Sequence, residues 1–285
     1  MKIKITGASG YLGQTISKKL KENGHEVTGL ERKYLYGSID DLQDEINNCD
    51  AIINLAGAPI LQRWTDKNKA TILESRVKTT QNLVRAINNL PMEEQPKKFI
   101  SASAIGIYKP GIAHDETSQN FDDSFVGNVV KQWEAASIDL SPNVQRNIFR
   151  IGLVLGAEAK TISNLLLPFK LGLGATLGNG EQAFPFVHVK DVARAFVWAV
   201  EELSNNGTFN LVAPENITNK DFSKALARAL HRPAIFSIPR FVLKTVLGET
   251  ASLLTEGANV EPRHLVERGF KFEYPTIKKA LEEIV

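Results

Sequence analysis

Residues 2–30 read KIKITGASGYLGQTISKKLKENGHEVTGL, and the fold turns on this run. Lys2 to Thr6 alternates lysine with isoleucine, the period-two pattern of a strand, and then meets a glycine-rich turn. Leu12, Ile16 and Leu20 fall four apart, on one helical face. Gly24 stands where a C-terminal glycine ends a helix, and Glu26 to Leu30 (EVTGL) reads as a second strand. Strand, glycine turn, helix and strand make a βαβ unit.

The alternation continues. Asp50 to Leu55 (DAIINL) is a short apolar run that reads as a buried parallel strand. Thr65 is placed to cap a long helix through Asn89, with Ile72, Val77, Leu83, Val84 and Ile87 as its apolar positions. Lys98 to Ser101 predicts a strand and Val130 to Ile138 a helix. Asn147 to Leu155 (NIFRIGLVL) predicts another buried strand, and Asp191 to Leu203 an amphipathic helix. The pattern predicts an α/β fold: a doubly wound parallel sheet with helices on both faces. After Gly156 the character changes, with four glycines in Leu171 to Gly180 and prolines at 168, 185, 214, 233, 239 and 262. A smaller, mostly helical C-terminal lobe is expected there. The expected division gives residues 1–155 plus about 184–212 to a dinucleotide-binding domain, and about 156–183 plus 213–285 to a substrate-side lobe.

Composition narrows the function. The 285 residues carry 34 basic and 32 acidic side chains, too even a balance for nucleic acid or an anionic membrane. No apolar run approaches the ~20 residues that span a bilayer. The single cysteine, Cys49, allows no intramolecular disulfide, and MKIKITG leads straight into a strand with no signal segment. A cytoplasmic protein is expected, monomer or homodimer, with a small-molecule substrate. The five histidines show no metal-ligand spacing, so no metal is expected.

TGASGYLG spaces Gly7, Gly10 and Gly13 three apart between strand and helix. One glycine serves a tight turn, one lets a pyrophosphate approach bare backbone, and one permits close helix–strand packing. The phosphate then rests on the helix N-terminus, where unpaired N–H groups and the positive dipole end converge. At the end of the second strand stand Glu31, then Arg32 and Lys33. An acid there suits the free 2′-hydroxyl of NAD, whereas arginine suits a 2′-phosphate. The adjacent cations favour NADP (NADPH) over NAD. In Asn54-Leu55-Ala56-Gly57 (NLAG), small residues stand where backbone approaches an adenine ribose.

TGASGYLG, NLAG, SASAIGIY and FVHVKDVARA together resemble the extended short-chain dehydrogenase, or NAD-dependent epimerase/dehydratase, superfamily. Arg63-Trp64, ESRVKTTQNL, KQWEAA, RIGLVLG, LLLPFKLGLG and LVAPENITNKDF are similar to its atypical subfamily labelled epimerase family protein, or sugar-nucleotide epimerase-like. The resemblance implies a Rossmann domain, a C-terminal substrate lobe and a nicotinamide cofactor. It implies cofactor contacts at Gly7, Ser9, Gly10, Tyr11, Leu12 and Gly13, at Arg32, at Leu55, Ala56 and Gly57, and at Arg76 and Leu153. For Arg76 a structural salt bridge is the competing reading.

Typical members use a serine, a tyrosine and a lysine four residues beyond the tyrosine. Matching Glu134 to the family's glutamate puts Val126 and Val130 at the tyrosine and lysine positions. Neither valine carries a proton. Lys131 is turned about 100° around the helix and reads as a surface lysine. Tyr274 and Lys278 have the spacing but lie near the C-terminus across a proline. Ser103 matches the family serine, or simply caps a strand end. Tyr108 is a second catalytic candidate, or packs its ring. His188 is expected to fix a strand–helix junction, His114-Asp115-Glu116 to lie in a solvated loop, and Cys49 to be structural. Where nucleotide-sugar members carry a phosphate-binding arginine, Phe184 and Pro185 stand instead. The expected function is an NADP(H)-dependent oxidoreductase or epimerase-like enzyme on a small carbonyl or alcohol, with a non-catalytic NADP(H) sensor as the alternative.

Overall fold

The computed structural model describes residues 1–202 and 206–285. Six strands form its central sheet: β1 (Lys2–Thr6), β2 (Glu26–Leu30), β3 (Ala51–Asn54), β4 (Lys98–Ala104), β5 (Gln145–Ile151) and β6 (Gly207–Leu211). They lie in the order β6-β5-β4-β3-β1-β2, every neighbouring pair parallel. Ile5 sits beside Gly29 on one side and Ile53 on the other. Parallel strands covered on both faces need apolar residues throughout, which is why AIIN of β3 is wholly buried.

Four longer helices frame the site: α1 (Tyr11–Glu22), α2 (Asp66–Asn89), α3 (Phe125–Ala135) and α4 (Val189–Glu201). On one face Ile16 and Leu20 of α1 and Phe196 of α4 close over Ile3, Ile5 and Phe149. On the other, Leu83 and Ile87 of α2 pack on Ile52 and Phe99. Lys98, 1% exposed, donates to the carbonyls of Ala199, Val200 and Glu202, so a buried ammonium caps the end of α4. Thr65 caps α2 as its sequence predicts, its hydroxyl accepting from the Asn68 amide.

Several elements differ from the sequence reading. The strand expected over 147–155 breaks at Gly152. There the Gly152 amide still bonds Leu211, but Leu153 turns to the Pro185 carbonyl, and Leu153–Leu155 pairs with Phe186–His188 in a separate sheet. A Cβ at Gly152 would lie 2.7 Å from the Pro185 oxygen, so the crossover needs glycine. The helix expected from Val130 starts at Phe125, because the Ser124 hydroxyl accepts from the Gly127 amide. The helix expected over 191–203 starts at Val189, and Leu203 lies outside the described residues. His114 and Glu116 are buried rather than solvated, 4% and 8% exposed. Glu116 accepts from the amides of Asn210 and His264, and this docks the loop on β6 and the C-terminal segment.

The C-terminal residues are not a free-standing appendage. The helix Asn219–Ala229 packs on Ile277–Ile284, while Leu265 and Phe270 enter the main core beside Ile3. His188 caps α4 by accepting from the Lys190 amide, and its ring lies 3.9 Å from that of Tyr274. Burial, then Lys190, lowers its pKa from 6.5 to about 4. Between those values the unfolded chain binds a proton that the folded chain refuses, so stability falls as pH falls from 6.5 toward 4. The loss from this group between pH 7 and 5 is about 2 kcal/mol. His188→Asn, which keeps a cap acceptor but does not titrate, is expected to flatten that part of the pH dependence of Tm.

Candidate cofactor and catalytic site

The chain leaves β1 for α1 and β2 on one side, and β3 for α2 and β4 on the other. The crevice between the carboxyl ends of β1 and β3 is therefore the switch point where such sheets bind ligands. Both loops that edge it are tightly made. Gly7 has φ +67°, a left-handed conformation, and a Cβ there would lie 3.0 Å from the Leu55 carbonyl oxygen. A Cβ at Gly13 would lie 2.2 Å from the Gly7 oxygen, so α1 must start against bare turn backbone. The Thr6 hydroxyl accepts from the amides of Leu55 and Ala56 and donates to Asn54, which in turn reaches Thr80 of α2. Thr6, Asn54 and Thr80 are fully buried. This polar knot fixes the NLAG loop against the glycine turn.

The crevice offers anion-binding features. Gly10 caps α1 without any side-chain hydrogen bond, and no acid lies in the first turn. Its N-terminal amides therefore keep their positive field uncovered. Ser9 and Gly10 are exposed beside it, and Tyr11 and Leu12 are half-buried. The Tyr11 hydroxyl packs against Gly156, where a Cβ would lie 2.1 Å from it. Arg76 comes from α2, and its guanidinium lies against Gly57. It donates to the carbonyls of Ile72 and Ala58, 3.0 Å each, and lies over the Trp133 ring at 5.2 Å. Among the described residues no carboxylate pairs with it. Burial lowers its pKa from 12.5 to about 10, so it remains a cation in a site that penalises charge. The salt-bridge alternative for Arg76 is not what the structure shows.

At the end of β2, Lys33 pairs with Glu31 at 3.2 Å, while Arg32 is exposed above the Tyr36 ring. The acid that would select a free ribose hydroxyl is thus engaged by its neighbour. Leu153 is half-buried just past the break after β5.

Ser103 and Tyr108 are brought together by a network that sequence reasoning missed. Ser103 of β4 stands in register with Arg150 of β5, and both reach Glu134 of α3. Ser103 donates to one Glu134 oxygen at 2.6 Å, and Arg150 grips the carboxylate with Nε and Nη2 at 2.8 Å each. Arg150 also donates to the Tyr108 hydroxyl, which donates to Asn210 at 2.8 Å. Burial works against the Arg150 cation, but the bonds and charge of Glu134 outweigh it and hold its pKa above the ordinary value. Tyr108 is 2% exposed, and burial raises its phenol pKa despite Arg150. Its ring stacks on His114 at 4.7 Å. Val126 and Val130 pack with Ile107 and Tyr108 in a small apolar cluster. Lys131 is ion-paired with Asp123, Tyr274 packs on His188, and Phe184 stacks on Phe222 at 4.2 Å. Cys49 is buried, which pushes its thiol up to about 12. No cluster of metal ligands occurs among the described residues, and none of their helices is long and apolar enough to cross a membrane. One signal for the network was present: Arg150 is the only charge within the apolar run NIFRIGLVL, and a buried charge needs a partner.

The model of the NAD dependent epimerase/dehydratase family matches residues 3–212. The chain belongs to that family. A domain of unknown function, DUF1731, matches residues 238–284. The chain is 37% identical to the bovine (Bos taurus) epimerase family protein SDR39U1, with all of both chains covered. It is 33% identical to epimerase family protein YfhF of Bacillus subtilis, covering all of this chain and 98% of the relative. The crystal structure of human epimerase family protein SDR39U1 with NADPH superimposes with a TM-score of 0.93 at 35% identity, over 100% of this chain and 99% of that one. Family membership, the six-stranded parallel sheet and the crevice at its switch point agree with one another.

Proposed function

We propose that this epimerase family chain binds NADP(H) across the crevice and acts as an NADP(H)-dependent oxidoreductase or epimerase-like enzyme on a small alcohol or carbonyl compound. The observation that carries the reading is Arg76: a half-buried cation with no carboxylate partner among the described residues, beside a glycine turn and an uncovered helix N-terminus. That set of groups suits a dinucleotide with several phosphates. The NADPH bound by the 35%-identical human protein supports the choice of cofactor. When bound, the nicotinamide supplies the hydride chemistry. This chain's own residues do the rest. Gly7, Ser9, Gly10, Tyr11, Leu12 and Gly13 shape the pyrophosphate site, Leu55, Ala56 and Gly57 the adenosine side, and Leu153 a wall of the cleft. Arg32 meets the 2′-phosphate, and Ser103 meets the reacting oxygen of the substrate. Val126 and Val130 contribute no proton, so the usual tyrosine–lysine pair has no counterpart. The engagement of both Ser103 and Tyr108 favours, as a second reading, a protein that holds NADP(H) without turnover.

Arg32→Ala tests the assignment. It removes one charge-assisted contact, about 1.5–3 kcal/mol, and should weaken NADPH roughly 10- to 100-fold while leaving NADH within about threefold. Nicotinamide fluorescence reads both. Equal losses for the two cofactors would remove Arg32 from the phosphate site.

A further inference from the structure

The one hydroxyl proton of Ser103 is already committed. We propose that Ser103 is presented to the cleft as a hydrogen-bond acceptor, so that the ligand atom held there is a donor: the O–H of an alcohol rather than the oxygen of a carbonyl. The inference rests on the proposed function and names the form of substrate which that site takes.

The carboxylate behind the serine decides this. A serine hydroxyl has a single donor hydrogen and two acceptor lone pairs. In Ser103 that hydrogen is donated to a Glu134 oxygen at 2.6 Å, a short hydrogen bond. Arg150 meets both oxygens of Glu134 at 2.8 Å in a fork whose side chains, Glu134 and Arg150, are 15% and 7% exposed. Arg150 is in turn held by the Tyr108 hydroxyl. Turning the Ser103 proton toward a ligand carbonyl would strip a largely enclosed carboxylate of one of its bonds. A carboxylate accepts and never donates, so Ser103 would gain nothing in exchange. A ligand O–H leaves the whole chain intact and adds one bond. Ser103 is 4% exposed, so solvent does little to relieve a mismatch of two acceptors there. Glu134 and Arg150 are therefore positioning residues: they set the hydrogen-bond polarity of Ser103 without touching the ligand. The neighbouring groups do not reverse it. Val126 and Val130 are apolar, and the Tyr108 phenol is buried on the far side of Arg150.

The test uses matched probes on the full chain loaded with NADPH: 1-indanol against 1-indanone, titrated by ligand-observed NMR. The alcohol is expected to bind about tenfold more tightly. Ser103→Ala should bring the pair within about twofold of each other by weakening the alcohol alone. Ser103→Thr should restore the preference, and Glu134→Gln should reduce it while the serine remains. A merely structural role for Ser103 would shift both probes together. NADPH fluorescence in the same samples reports on the cofactor site. Equal affinity, a tighter ketone or no binding of either probe to NADPH-loaded protein overturns the inference and leaves NADP(H) binding standing. Absence of NADPH binding overturns both.

Discussion

Glu134→Ala is expected to lower stability by about 3–5 kcal/mol, because it strands the Arg150 cation inside the protein. For a chain of this size that is a drop in Tm of roughly 5–8 °C. The geometry makes the cost large. Arg150 is buried, spends two of its donors on Glu134, and among the described residues has besides it the Tyr108 hydroxyl and the faces of Tyr108 and Phe121. Glu134→Gln keeps an acceptor for one of those donors and should cost clearly less. The decisive comparison is the double variant Glu134→Leu, Arg150→Met. Replacing a buried ion pair by apolar groups of similar volume is often close to neutral, so this variant should recover most of the loss. Thermal unfolding measures all three. A single alanine variant within about 1 kcal/mol of the natural chain would mean that water reaches Arg150 and solvates it.

Arg76→Met is expected to act in the opposite sense on stability and strongly on the cofactor. The cation is partly desolvated and, among the described residues, bonds two carbonyls and lies over one ring face, so a thioether of similar reach should leave Tm unchanged or raise it. The same change should weaken NADPH roughly 10- to 100-fold, the size of a lost charge-assisted contact. A residue that costs the apo protein stability and strengthens ligand binding is the usual mark of a functional position. Thermal unfolding and NADPH titration on one preparation separate the two effects. A large fall in Tm with unaltered NADPH affinity would make Arg76 a packing residue.

The fold and the site differ in how far the amino-acid sequence reveals them. Strand boundaries at Lys2–Thr6 and Glu26–Leu30, and the long helix capped by Thr65, follow from local rules: period, turn chemistry and caps. These rules act within a few residues and leave a local trace. The break at Gly152 leaves little beyond the glycine itself, since IGLVLG is apolar throughout and the change of partner is dictated by the distant Pro185 carbonyl. The buried state of His114 and Glu116 likewise depends on β6 and on His264, far along the chain. The glycine turn was legible because its conformational demands fall on the glycines themselves. The Ser103–Glu134–Arg150–Tyr108 network was not, because it joins β4, α3, β5 and a loop that only the folded sheet brings together. Its residues could be named one by one, but whether Ser103 gives or accepts a proton is decided by a carboxylate 31 positions away.

The most direct test of the central claim is a fluorescence titration of the natural chain with NADPH and, separately, with NADH. The account predicts saturable binding of NADPH, at least about tenfold tighter than that of NADH, as one added contact to a 2′-phosphate requires. No binding of either would contradict it, leaving the glycine turn, the NLAG loop and Arg76 as parts of the architecture alone.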